Sequence, residues 1–63
     1  MKAENYFKKN GFIFGDSYNE RGHNIYFFRD WEEAQEWLHT EEYDFRTREL
    51  ITKTEAKKCG FLI

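Results

Sequence analysis

Two histidines, one cysteine and a run of carboxylates are the residues of this 63-residue chain whose types could do chemistry. A metal centre would need His23 and His39 to converge with Glu41, Glu42 or Asp44. No His-x-x-x-His pair or second cysteine supplies a ligand spacing for it. Cys59 with a histidine would make a nucleophile and base, but it falls near the end of a terminal helical pattern. There the helix dipole disfavours a thiolate, and a cysteine packs as a small apolar residue. The carboxylates could serve as acid and base by number alone, yet on an exposed helix face without a pocket they are better explained by solvation. Gly11, Gly15, Gly22 and Gly60 are too scattered to cradle a phosphate. The expectation is a non-enzymatic chain with no catalytic, cofactor-binding or metal residues and no cofactor.

What remains is a question of surfaces, and charge marks them. The net charge is −2, unevenly spread. Residues 1–29 carry a net +2 and residues 45–63 a net +3, whereas residues 30–44 hold seven acids and no lysine or arginine. Asymmetry of this kind bears on partners and solubility, not on fold. The acids Glu32, Glu33, Glu36, Glu41, Glu42 and Asp44 form a candidate partner-binding set that could dock on a basic surface, including the nucleic-acid groove of an enzyme. A second candidate surface is aromatic. Ile13, Tyr26 and Phe28, rimmed by Arg29, have the mixture of rings and cations that a single-stranded nucleic-acid platform needs. The same rings would also serve as ordinary core if helices covered them, and the negative net charge argues against nonspecific phosphate binding.

The elements that must position these residues are organised around Gly11 to Arg29. Phe12-Ile13-Phe14 and Ile25-Tyr26-Phe27-Phe28 are two apolar runs separated by Asn19-Glu20-Arg21-Gly22, which suits a hairpin turn with Gly22 at positive φ. Pairing Tyr18 with His23 places Phe14 opposite Phe27 and Ile13 opposite Phe28. Side chains then alternate so that Phe12, Phe14, Ile25 and Phe27 share one face, and Ile13, Gly15, Tyr26 and Phe28 the other. Both faces are apolar. A two-stranded sheet is marginal alone, so both need cover.

Helical patterns flank the hairpin. Lys2 to Asn10 has Ala3 and Phe7 on one stripe with Tyr6 beside it, and Gly11 supplies a left-handed stop. Asp30-Trp31-Glu32-Glu33 has the spacing of a capping box, followed by Trp31, Ala34, Trp37 and Leu38 on one apolar stripe. That helix should end near His39 or Thr40. Tyr43 and Phe45 alternate with Asp44 and Arg46, which fits either a short edge strand or a loop of extended character. The loop is the expectation. Thr52-x-x-Glu55 is a second capping box, opening a short helix from about Lys53 to Cys59. The fold class is α+β: one small domain over residues 1–63, ordered α-β-β-α, with the hairpin packed by helices, then an extended segment and a short C-terminal helix.

Thirteen of the 63 residues are aromatic and valine is absent, so rings must carry the core of a domain near the lower size limit for independent folding. A lone cysteine fits a reducing compartment such as a cytoplasm. No apolar run approaches a membrane span, and the start lacks the apolar core of a signal peptide. The expected partner is therefore another protein, with nucleic acid second, no membrane, and a homodimer through an uncovered aromatic face or hairpin edge as a third reading. Small size and an aromatic, valine-free style also suit a bacteriophage or mobile-element regulator or inhibitor that binds a host protein.

Overall fold

The computed structural model describes residues 2–40 and 46–60. Six elements run in the order α1 (Lys2–Asn10), β1 (Ile13–Asn19), β2 (Gly22–Phe28), α2 (Trp31–His39), β3 (Thr47–Ile51) and α3 (Lys53–Lys58). The α+β class and the order of the first four elements are as expected. The hairpin register is also the expected one, with Tyr18 opposite His23, Phe14 opposite Phe27 and Ile13 opposite Phe28. Asn19 pairs with Gly22, leaving Glu20 and Arg21 at the tip, and Gly22 has φ 141°. The Asn19 Oδ1 accepts from the Arg21 amide at 2.8 Å, an asparagine turn of the usual kind.

Among the described residues the sheet has three strands, not two. β3 lies antiparallel against the other side of β1, giving the order β2-β1-β3, with Gly15 opposite Leu50 and Phe14 opposite Ile51. A loop of extended character was expected over Glu41 to Arg48, but Thr47 and Arg48 open β3, which runs on to Leu50 and Ile51. The physical reason is tertiary. Thr47-Arg48-Glu49-Leu50-Ile51 has too little β-branched or aromatic content to announce a strand, and pairing with β1 supplies what its own propensity does not. Residues 41–45, including Tyr43, lie outside the described residues.

Pairing on both sides makes β1 the central strand, and Ile13 through Ser17 are buried without interruption. On one face, α1 and α2 cover Ile13 and Phe28 with Ala3 and Ala34, joined by Tyr6, Phe7, Trp31, Trp37 and Leu50. On the other, Ala56 of α3 packs with Phe14 and Ile51, and Phe12 and Ile25 border them. Rings dominate both layers. Phe14 and Phe27 meet at 5.3 Å between centroids, Phe7 and Trp31 at 5.4 Å, and Phe28 and Trp37 at 5.4 Å. Such pairs contribute about 0.5–1.5 kcal/mol each beyond their burial.

The helix ends follow local chemistry. The Gly11 amide donates to the Phe7 carbonyl at 2.7 Å with φ 77°, closing α1 in a conformation that glycine adopts without a Cβ penalty. Asp30 caps α2 by accepting from the Glu32 amide at 3.0 Å. Thr52 and Glu55 form the reciprocal box that opens α3: Thr52 Oγ1 accepts from the Glu55 amide, and Glu55 accepts from the Thr52 amide. α3 ends at Lys58, with Cys59 as its C-cap. Among the described residues, no helix is long and apolar enough to cross a membrane.

Candidate functional site

The acidic face begins on α2. Because Ala34 and the two tryptophans turn inward, Glu32, Glu33 and Glu36 project outward, and all three are exposed. None forms an ion pair among the described residues. Glu41, Glu42 and Asp44 lie outside the described residues. His39 is exposed in the last turn of α2, where a cation complements the helix dipole.

The aromatic platform is divided by the fold. Ile13 is fully buried and Phe28 is 6% exposed, both beneath the helices, so neither can stack on a base. They are core residues. Tyr26, 45% exposed, is left at the border of the layer, with its ring 5.5 Å from that of Trp37. Arg29 is exposed, and its guanidinium lies 5.8 Å over the ring of Phe27. Phe27 is 50% exposed, the open aromatic on the opposite face. Tyr26 and Phe27 sit on β2, an outer strand with no further strand beside it among the described residues. That edge is where another strand would add.

Arginines of the third strand and its approach pin the layers together. Arg48 Nη1 donates to the Trp37 carbonyl at 2.6 Å and the Thr40 carbonyl at 3.1 Å, so a cation satisfies carbonyls left free where α2 ends. Its guanidinium also lies 5.1 Å over the Trp37 ring. Arg46 donates from Nε to Ser17 Oγ and from Nη2 to the carbonyls of Ser17 and Gly22, tying the entry of β3 to the hairpin.

A third group was not anticipated. Asp16, in the middle of β1, is 2% exposed, and His23 Nδ1 donates to both of its carboxylate oxygens at 3.0 Å. Cys59, at the C-cap of α3, donates from Sγ to Asp16 Oδ2 at 3.5 Å. One ligand atom from each of the three lies within 4.8 Å of the others. The cluster borders a groove of 410 Å³ lined by His23, Asn24, Ile25, Tyr26, Cys59 and Gly60. Burial, and then the Asp16 carboxylate, push the Cys59 thiol above its ordinary value.

The surroundings of this cluster are anionic. Asp16 stands directly opposite Glu49 across the β1–β3 pair. Glu49 is also the leading reason that the Tyr18 phenol is raised above its usual value, with Asp16 adding to it. The Tyr18 ring stacks on His23 at 5.1 Å between centroids. The histidine that sequence reasoning sought to join with Glu41, Glu42 or Asp44 is thus engaged by a buried aspartate of the hairpin. One signal was available: pairing Tyr18 with His23 puts Asp16 and His23 on the same face as diagonal neighbours.

Compared with protein-family models, curated proteins and solved structures, the chain finds no match among any of the three.

Proposed function

We propose that this protein is a small non-enzymatic interaction module that binds another protein through the acidic face of α2, in the manner of a phage or mobile-element regulator or inhibitor acting on a host protein in the cytoplasm. The observation that carries the reading is the exposure of Glu32, Glu33 and Glu36 on one helix, with no ion pair to any of them among the described residues. Carboxylates at helical spacing can take the place of phosphates on the lysines and arginines of a basic surface. The exposed ring of Tyr26, packed against Trp37 of the same helix, gives the contact an aromatic anchor of the type enriched in interface hot spots.

The test is recovery on immobilised protein from a lysate of the organism that encodes it, read by mass spectrometry, with half of the lysate treated with nuclease. The wild-type chain is expected to retain one protein in both halves. The triple variant Glu32→Lys, Glu33→Lys, Glu36→Lys is expected to lose that protein while its Tm stays close to wild type. Equal recovery by the variant removes the acidic face from the contact.

A second reading, single-stranded nucleic-acid binding, keeps one specific support: Arg29 over the exposed Phe27 ring, with Tyr26 adjacent in sequence to Phe27. With Ile13 and Phe28 in the core, this platform would consist of Tyr26, Phe27 and Arg29. Recovery that disappears on nuclease treatment would favour it.

A further inference from the structure

We propose that Asp16, His23 and Cys59 form a binding site for a divalent zinc ion, held by one carboxylate oxygen, Nδ1 and Sγ, with a fourth position open to the adjoining groove. The side chains come from β1, β2 and the end of α3, so the ion would fasten the terminal helix to the sheet.

Geometry is the first support. Ligands of a tetrahedral zinc ion, bound at about 2.0–2.3 Å, stand about 3.3–3.8 Å apart. Here His23 Nδ1 is 3.0 Å from the Asp16 oxygens, Cys59 Sγ is 3.5 Å from Oδ2, and no pair among the chosen ligand atoms exceeds 4.8 Å. Adjustments of a few tenths of an ångström to about one ångström would admit an ion. His23 is exposed and Cys59 half-buried, so both can supply that movement.

Electrostatics is the second. A carboxylate that is 2% exposed carries a desolvation cost that only a charged or well-bonded partner offsets. The groups bonded to Asp16 are an imidazole, which makes an ion pair with it only when protonated, and a thiol, which is a weak donor. Glu49 directly opposite adds a like charge across the strand pair, an arrangement that is unfavourable by itself. A dication offsets both.

Donor chemistry selects the metal. One sulfur, one nitrogen and one oxygen suit borderline-soft zinc better than magnesium or calcium, which require oxygen sets. Binding would displace the Cys59 thiol proton and the proton on His23 Nδ1, which moves to Nε2 or to solvent, leaving thiolate and neutral imidazole as ligands. The groove bordered by His23 and Cys59 gives the ion a route from solvent and room for a water or a partner's side chain.

The experiment uses the full chain stripped with a chelator and titrated with zinc by calorimetry, and with cobalt(II) as a spectroscopic substitute. Expected are a 1:1 complex, a thiolate-to-cobalt charge-transfer band in the near ultraviolet, and a Tm higher by about 10–20 °C at zinc concentrations a hundredfold above Kd. His23→Ala and Cys59→Ser, at partly exposed positions where folding can be verified by circular dichroism, should each weaken zinc at least about tenfold. His39→Ala should leave it unchanged. Absence of the charge-transfer band, or unchanged zinc affinity in Cys59→Ser or His23→Ala, overturns the site.

Discussion

The ring of Trp37 rests on Gly15: a Cβ placed on that glycine would meet Trp37 Cζ3 at 2.7 Å and Cη2 at 2.8 Å. The absence of a side chain at one position of the central strand is what lets α2 lie close on the sheet. The same missing Cβ accommodates Phe28 Cε2, which would stand at 2.9 Å.

Gly15→Ala should therefore destabilise the domain, despite alanine's better fit to a strand. Two aromatic rings would have to move, and overpacking of this kind costs about 1–3 kcal/mol. For a chain of this size that is a drop of about 4–8 °C in Tm per kcal/mol. Tryptophan fluorescence should shift as well, since Trp37 is the ring displaced. A Tm equal to wild type would mean that α2 is not seated as described.

Arg48 should not be replaceable by lysine. One guanidinium nitrogen, Nη1, donates to two carbonyls near the end of α2, at 2.6 and 3.1 Å, while the guanidinium carbon stands 5.1 Å from the Trp37 ring centre. A lysine ammonium could reach both carbonyls from one nitrogen, but it lacks the delocalised guanidinium plane that stacks on an aromatic ring at the same time. Arg48→Lys should cost about 0.5–2 kcal/mol in urea unfolding, the range of a partly desolvated cation–π contact. Arg48→Lys in a Trp37→Leu background should cost less, because the stacking partner is already gone. Equal costs in both backgrounds would show that arginine and tryptophan act independently.

The hairpin was legible in the sequence because turn chemistry and alternation agree. Asn19 and Gly22 bracket the tip, and that turn sets Phe14 against Phe27 and Ile13 against Phe28. α2 was legible for the same reason, with Asp30 at its start and the Trp31, Ala34, Trp37 stripe turned inward. β3 was not, since only Leu50 and Ile51 are apolar and its partners lie 29 to 37 residues back along the chain. Non-local pairing of that kind leaves little local trace. The division of the aromatic runs into core and surface was also unreadable residue by residue. Ile13 and Phe28 are core because two helices cover that face, whereas Phe27 is half exposed because the short α3 covers only part of the other.

The Asp16 cluster illustrates a different limit. Asp16 and His23 are seven positions apart and Cys59 a further 36, a spacing shared with no local motif. The register alone brings the first two together, and it was available in advance. The third depends on where α3 docks, through Ala56 against Phe14 and Ile51, a contact that no local spacing around Cys59 announces.

The protonation of Cys59 gives a pH dependence with a definite sign in the metal-free protein. Burial and the neighbouring Asp16 raise its folded-state value above the 9.0 of a free thiol. A group whose value is raised by folding contributes stability that is complete below its unfolded value and is lost as pH climbs through the folded one. Stability of the wild-type chain should thus decline above about pH 9 more steeply than that of Cys59→Ala, with lysines and tyrosines common to both. Alkylation by iodoacetamide separates this from simple access. The rate follows the thiolate fraction, so the pH at half-maximal rate should lie higher for the native chain than for the chain in urea, whatever the difference in absolute rates. Coincident midpoints would show that neither burial nor Asp16 holds the proton on the sulfur. Because Asp16 is the second cause after burial, Asp16→Asn should move the native midpoint down toward the unfolded one, provided the variant keeps its helical and strand signals. A midpoint unmoved by that change would leave burial, with Glu49 and Glu55, as the cause.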